Sequence, residues 1–88
     1  MTPAEARRFY EERAKSTIKN LREQRQLSYK ELARRLEAVG VHVSDQVLIN
    51  RMNRGNYSFA FALQLLSVMG VETLDVPTLP PGSVQARN

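Results

Sequence analysis

The chain has 88 residues, a formal net charge of +4 at neutral pH and no cysteine. Its length suggests one domain, and the absence of cysteine excludes disulfides, thiolate metal ligands and a cysteine nucleophile. The N-terminus has no apolar signal-peptide core, and the longest apolar stretch, residues 59–71, is too short to cross a bilayer. We therefore expect a soluble, cytoplasmic protein.

The positive charge is concentrated in one part of the chain. Residues 7–54 hold twelve of the thirteen Lys and Arg residues but only six of the nine acidic residues, so this part has a net charge of +6. A basic body suits a polyanion such as nucleic acid. Many basic proteins bind no anion, however, so charge alone leaves an ordinary solvated surface as the alternative.

The first predicted helix covers residues 3–24. Thr2 is a suitable N-cap, and Glu5 completes the spacing of a capping box. Apolar residues then recur at helical spacing on one face. At 1.5 Å per residue this helix is roughly 33 Å long, which is long for a small bundle. We expect its N-terminal half, with Phe9 and Tyr10, to project beyond the compact part of the molecule.

The second predicted helix covers residues 28–39. Ser28 is the expected cap, and Glu31 stands three residues later, which again predicts a capping box. Gly40 suits the position that follows the end of a helix. The apolar stripe of this helix consists of Leu32, Ala33 and Leu36.

The third predicted helix covers residues 45–54. Ser44 is the expected N-cap, Asp45 suits the positive end of the helix, and Gly55 is expected to end it in the left-handed conformation. The side chains expected to face inward are Leu48, Ile49 and Met52.

The fourth predicted helix covers residues 59–69 and is apolar on two sides. One side consists of Phe59, Leu63, Leu66 and Met69, and the other of Phe61, Leu65 and Val68. A helix that is apolar nearly all round is buried on more than one side, so this helix is either central or part of a dimer interface. We place the domain at residues 1–76, because the Pro- and Gly-containing stretch 77–88 has the composition of a disordered tail.

The polar face of the third helix carries candidate base-reading residues. Gln and Asn side chains can pair with adenine and Arg with guanine, and an exposed Val can contact a thymine methyl group. The candidates are Gln46, Val47, Asn50 and Arg51. The alternative is an ordinary solvent-exposed helix face, since surface helices commonly carry the same residue types.

The stretches IKNLREQRQLSYKELARRL and LINRMNRGNYSFAFALQLLSVMGV resemble the lambda-repressor-like helix-turn-helix domains of the Xre type. In those domains an Ile-x-x-Leu-Arg helix precedes a Leu-Ser-x-x-Glu-Leu-Ala helix. A third helix then ends in Asn-Gly, and an apolar helix ends in Leu-Gly-Val. The corresponding residues here are Ile18, Leu21, Arg22, Leu27, Ser28, Glu31, Leu32, Ala33, Ile49, Met52, Arg54, Gly55, Met69, Gly70 and Val71. The resemblance covers residues 17–74, and the pattern NRxNRGxxSxAF also looks like a bacterial subfamily of that fold.

The resemblance implies an all-α fold, a compact lambda-repressor-like bundle of four to five helices, here with an extended first helix. It also implies that the third helix lies in the major groove while the starts of the second and fourth helices hold phosphates. Candidate phosphate-binding residues are Ser28, Tyr29, Lys30, Ser44, Arg54, Asn56 and Tyr57. For the serines the alternative role is capping alone, and for the tyrosines it is covering an edge of the core.

Two functions are compatible with these patterns. The first is sequence-specific binding of double-stranded DNA by a homodimeric transcriptional regulator. The second is a protein-interaction module on the same fold, such as an anti-activator, antitoxin or accessory subunit, with a partner on the first and fourth helices. We expect no enzyme, cofactor or metal site, because the sequence has no metal-ligand spacing, phosphate-binding loop or nucleophile-base set.

Overall fold

The computed structural model describes residues 2–76. Within that range the chain forms four α-helices and no strand, which confirms the expected all-α fold. They are α1 (Pro3–Gln24), α2 (Tyr29–Ala38), α3 (Asp45–Arg54) and α4 (Phe59–Val68). The predicted tail, residues 77–88, lies outside the described residues. None of the four helices is both long and apolar enough to cross a membrane.

The helix boundaries follow from local capping. The hydroxyls of Ser28, Ser44 and Ser58 each accept a hydrogen bond from the backbone N–H three residues later. The helices α1 and α3 begin and end where the sequence predicts. The helix α2 is one residue shorter at each end than predicted, because Ser28 and Val39 are its caps, and α4 ends one residue early, at Val68, with Met69 as its C-cap.

The capping box predicted for the second helix does not form. The carboxylate of Glu31 accepts hydrogen bonds from Arg34 at 2.9 and 2.6 Å and from Arg35 at 2.9 Å. Two guanidinium groups one turn away therefore compete successfully with the single backbone N–H of Ser28, because bonds between charged partners are stronger. The corresponding box on α1 does form, between Thr2 and Glu5.

The core lies where α2 meets α3 and α4, and α1 packs against α3. Its fully buried side chains are Leu32, Leu36, Leu48 and Leu65. The other buried apolar residues are Ile18, Leu27, Ala33, Met52, Phe61, Leu66 and Met69. In α3, Ile49 is half-buried, so Leu48 and Met52 anchor that helix to the core.

The first helix is longer than the body it packs against. The molecule measures 44 × 24 × 21 Å, and Ile18 is the one buried residue of α1. Towards the N-terminus, the rings of Phe9 and Tyr10 pack edge to face, with centroids 5.0 Å apart. The body begins near Glu11, because a Cβ atom at Gly55 would collide with the backbone carbonyl oxygen of Glu11.

Both apolar sides predicted for α4 are buried in part, since Leu66 and Met69 of the first side also lie in the core. Phe61 and Leu65 lie in the core, whereas the side chain of Phe59 is 77% exposed and that of Leu63 is 50% exposed. The structure therefore places α4 at the edge of the bundle with an open apolar side. Its C-terminal end is held by Arg35, which donates a hydrogen bond to the carbonyl oxygen of Val68 at 3.0 Å.

Candidate nucleic-acid interface

The exposed side of α3 carries a row of three amide side chains. Leu48 and Met52 hold the opposite side of the helix in the core, so Gln46, Asn50 and Asn53 point to solvent. Their spacing of four and three residues places them one above the other along the helix. We call these three residues the amide row.

Two of the predicted base-reading residues are bonded to each other. The side-chain amide of Gln46 donates a hydrogen bond to the side-chain oxygen of Asn50 at 3.0 Å. This bond holds both side chains extended along the helix, and Asn50 keeps both N–H donors and a second lone pair on its oxygen. Val47 lies beside the row with 43% of its surface exposed, so its methyl groups are available for apolar contact.

The fourth predicted base reader, Arg51, leaves the amide row and turns towards α4. Its guanidinium carbon lies 4.9 Å from the centroid of the Phe61 ring, a cation–π geometry. The side chain is half-buried as a result. Arg51 therefore lies on the side of α3 that faces α4.

A cleft between α3 and α4 adjoins the amide row on this side. It encloses about 290 Å³ and is lined by Arg51, Arg54, Asn56, Tyr57, Ser58 and Phe61. Three of the predicted phosphate-binding residues thus come together at the start of α4. The arginines and the exposed N-terminal turn of α4 give the α3–α4 cleft a positive potential that suits an anion.

One predicted phosphate-binding residue of this cleft is turned inward. The ring of Tyr57 packs edge to face on Phe61, with centroids 5.5 Å apart. Its hydroxyl oxygen is buried and has no hydrogen-bond partner among residues 2–76, and burial raises the pKa of Tyr57 to about 12. This orientation favours the alternative role, in which Tyr57 covers an edge of the core.

Three further predicted phosphate-binding residues, Ser28, Tyr29 and Lys30, lie at the start of α2. The hydroxyl of Ser28 caps the helix by accepting from the backbone N–H of Glu31 at 3.0 Å, and Lys30 is exposed. The ring of Tyr29 is half-buried beneath the guanidinium of Arg22, whose carbon lies 4.1 Å from the ring centroid. Arg22 is itself fixed by a 2.8 Å hydrogen bond to the carbonyl oxygen of Leu27.

A second cleft, between α1 and α3, was not predicted. It encloses about 350 Å³ and is lined by Glu12, Lys15, Ser16, Lys19, Tyr29, Met52 and Asn53. A helical wheel could have placed Asn53 in line with Gln46 and Asn50, but it could not bring Lys15 and Lys19 to the same place. Those lysines are more than thirty positions from Asn53 in the chain, and only the packing of α1 on α3 joins them to the row.

Outside the amide row and its two clefts, the His, Asp and Glu residues of the described chain form no candidate metal site. His42 is exposed, and its Nδ1 atom lies 3.8 Å from the carboxylate of Glu37. Within residues 2–76, no three His, Cys, Asp or Glu side chains are grouped so that they could hold a metal ion. The amide row and the two clefts beside it bring amide, hydroxyl and cationic side chains together on one part of the described surface.

Comparison with known proteins gives a family but no characterised relative. No curated protein and no solved structure matches the chain. A family model described as "Domain of unknown function (DUF6471)" matches residues 10–74. The match therefore includes most of α1, all of α2, α3 and α4, and both clefts beside the amide row. The chain belongs to the DUF6471 family of domains of unknown function.

Proposed function

We propose that this protein binds double-stranded DNA in a sequence-specific manner, as a small cytoplasmic transcriptional regulator, with α3 in the major groove. The proposal includes membership of the lambda-repressor-like, Xre-type helix-turn-helix fold that the sequence resembles. In that arrangement α2 crosses the DNA backbone while the N-terminal part of α3 meets the edges of the bases.

One observation carries the proposal: the amide row stands between two clefts that both contain cationic side chains. A major groove is about 12 Å wide and admits an α-helix, which then has a phosphate backbone on each side. A protein that recognises a DNA sequence needs side chains that pair with bases in the middle of its binding surface and phosphate-binding groups on both sides. The order of amide row and basic clefts across α3 meets that requirement.

The roles divide according to position on α3. Gln46 and Asn50, near the start of the helix, are the proposed base readers, and Val47 is placed to meet a thymine methyl group. Arg51, drawn towards Phe61 at 4.9 Å, reaches bases only from the side of the groove. The proposed phosphate contacts are Lys30 and the N-terminal turn of α2, together with Arg54, Asn56 and the N-terminal turn of α4.

The proposal is tested by selecting a preferred duplex from random sequence and measuring affinity as a function of salt. We expect Asn50→Ala to cost about 1–3 kcal/mol on the preferred duplex and to reduce preference at one base pair. Lys30→Ala should instead weaken all duplexes alike and lower the salt slope by about one unit. Equal losses on every duplex for both variants would contradict base reading by α3.

A protein-interaction module is the second candidate, and a specific observation favours it. Phe59, Leu63, Leu74 and Val76 are large apolar side chains that are exposed, and all four line a groove beside α4. Exposed apolar surface of this kind marks a contact site for another molecule. If the purified protein bound no duplex at low salt, this candidate would replace DNA binding.

A further inference from the structure

We infer that the α1–α3 cleft binds one backbone phosphate of the duplex and so extends the DNA-binding surface from α3 onto α1. Lys19 is the proposed charged contact, with Asn53 and Tyr29 beside it. The inference rests on the proposed function, because it names a further contact of the same surface. It also assigns a role to Lys19 and Asn53, which were not among the predicted phosphate-binding residues.

Position is the first argument. Asn53 belongs both to the amide row and to the wall of the cleft, so the cleft begins where the row ends. Lys19 and Ser16 stand on the opposite wall, and the buried side chain of Met52 lies between the two helices. A duplex that contacts Gln46 and Asn50 therefore has its backbone on this side of α3 next to the mouth of the cleft.

Charge is the second argument. The amine of Lys15 is paired with the carboxylate of Glu12 at 3.0 Å, so these two groups neutralise each other. Lys19 has an exposed side chain and forms no salt bridge within residues 2–76. The cleft thus has one uncompensated positive charge, which matches the single negative charge of a phosphodiester group.

Rigidity is the third argument. Arg22 stacks on the ring of Tyr29 at 4.1 Å and is bonded to the carbonyl oxygen of Leu27, so the α2 wall of the cleft is fixed. On the α1 side, the stem of Lys15 lies directly against Gly55, since a Cβ atom there would be 3.3 Å from Lys15 Cγ. A site with fixed walls loses little conformational freedom when an anion enters.

The test compares Lys19→Ala with Arg34→Ala on the selected duplex. Arg34 is a matched control, because it is an exposed cation of the same body that is already bonded to Glu31 at 2.9 and 2.6 Å. Affinity is measured by fluorescence anisotropy at several salt concentrations between about 50 and 200 mM. We expect Lys19→Ala to weaken all duplexes and to lower the salt slope by about one unit, and Arg34→Ala to leave the slope unchanged.

The outcomes separate this inference from the proposal on which it rests. If the unaltered protein shows no salt-dependent binding of duplex, both are overturned. If it binds duplex and Lys19→Ala retains the full salt slope while Asn50→Ala loses base preference, the cleft site alone is wrong. A separate titration with inorganic phosphate, followed by amide NMR at Lys19 and Asn53, tests for free phosphate as the ligand. Binding there without any effect of Lys19→Ala on duplex affinity would also overturn the inference.

Discussion

The helices α3 and α4 have the same length and the same kind of N-cap, but their exposed sides differ in chemistry. Each has ten residues, begins at a capping serine and buries part of one side in the core. The exposed side of α3 carries amides and arginines. In contrast, α4 has no charged residue along its whole length, and Phe59 and Leu63 remain open to solvent.

This difference distinguishes the side chains that the fold needs for packing from the side chains that are available to a binding partner. A helix of a small bundle needs one apolar stripe to pack, and both helices have it. The amide row of α3 and the open apolar side of α4 are additional to that need. The first surface suits a hydrated, charged partner, and the second suits an apolar one, so we expect the two helices to face different molecules.

The largest expected effect comes from the residue that joins the two helices. Gly55 has φ +64 and is buried, and a Cβ atom there would meet the backbone carbonyl oxygen of Glu11. We expect Gly55→Ala to lower the free energy of unfolding by roughly 2–5 kcal/mol, from backbone strain together with displacement of α1. Thermal and urea denaturation followed by circular dichroism measures this change.

A second glycine provides the control for that substitution. Gly40 also has a positive φ, +89, but open space lies where its Cβ atom would stand. Gly40→Ala should therefore cost only the strain of the left-handed conformation, about 1 kcal/mol. Equal losses for the two variants would mean that the close approach of α1 to the α3–α4 joint contributes nothing to stability.

The same two helices show which features of the molecule a sequence can reveal. The bounds of α3 were predictable because Ser44 and Gly55 act on neighbours within three residues of the chain. The turn of Arg51 towards Phe61 and the inward hydroxyl of Tyr57 were not, because each depends on how α4 packs beside α3. Glu31 shows a local failure, since two arginines on its own helix bond the carboxylate that the expected capping box would have joined to the backbone N–H of Ser28.

The candidate site divides in the same way. Its central residues, Gln46 and Asn50, could be read from the pattern of one helix. The α1–α3 cleft could not, because it joins Lys19 to Asn53 across thirty-three positions of intervening chain. Periodicity within a helix fixes which side faces outward, but contacts between helices decide what lies beside it.

An intermediate effect is expected at the open side of α4. We expect two copies to pair there, because a neutral helix can meet its own copy across a two-fold axis without charge repulsion. Leu63 is 50% exposed, so covering the rest of it contributes about 1 kcal/mol per copy and about 2 kcal/mol per dimer. Leu63→Ala should therefore raise the dimer dissociation constant roughly 30-fold.

Sedimentation equilibrium of the full chain measures that constant. Gln64→Ala is the control, because Gln64 is exposed on the same helix but is not among the residues that line the apolar groove. It should leave the dissociation constant unchanged. A monomer at all accessible concentrations, with and without duplex, would contradict pairing through α4, and equal effects of the two variants would place the contact elsewhere.

The smallest expected effect concerns the polar link that fixes the C-terminal end of α4. Arg35 bonds both the carboxylate of Glu31 and the carbonyl oxygen of Val68. Hydrogen bonds from Arg34 and then Arg35 lower the pKa of Glu31 from 4.5 to about 2. Because the pKa is lower in the folded protein, the ionised carboxylate stabilises the fold at pH values above 4.5. That contribution is lost progressively as the pH falls from 4.5 towards 2.

The free energy of unfolding, measured across that pH range, should therefore fall more steeply for the unaltered protein than for Glu31→Gln. The difference between the two curves isolates Glu31 from Glu5, whose pKa is also lowered, chiefly by its hydrogen bond from the backbone of Thr2. About one third of the Glu31 side chain is exposed, so solvent and added salt weaken the effect. Parallel curves, or a Glu31 carboxyl that titrates near 4.5 by NMR, would show that the pair of arginines does not hold the carboxylate in solution.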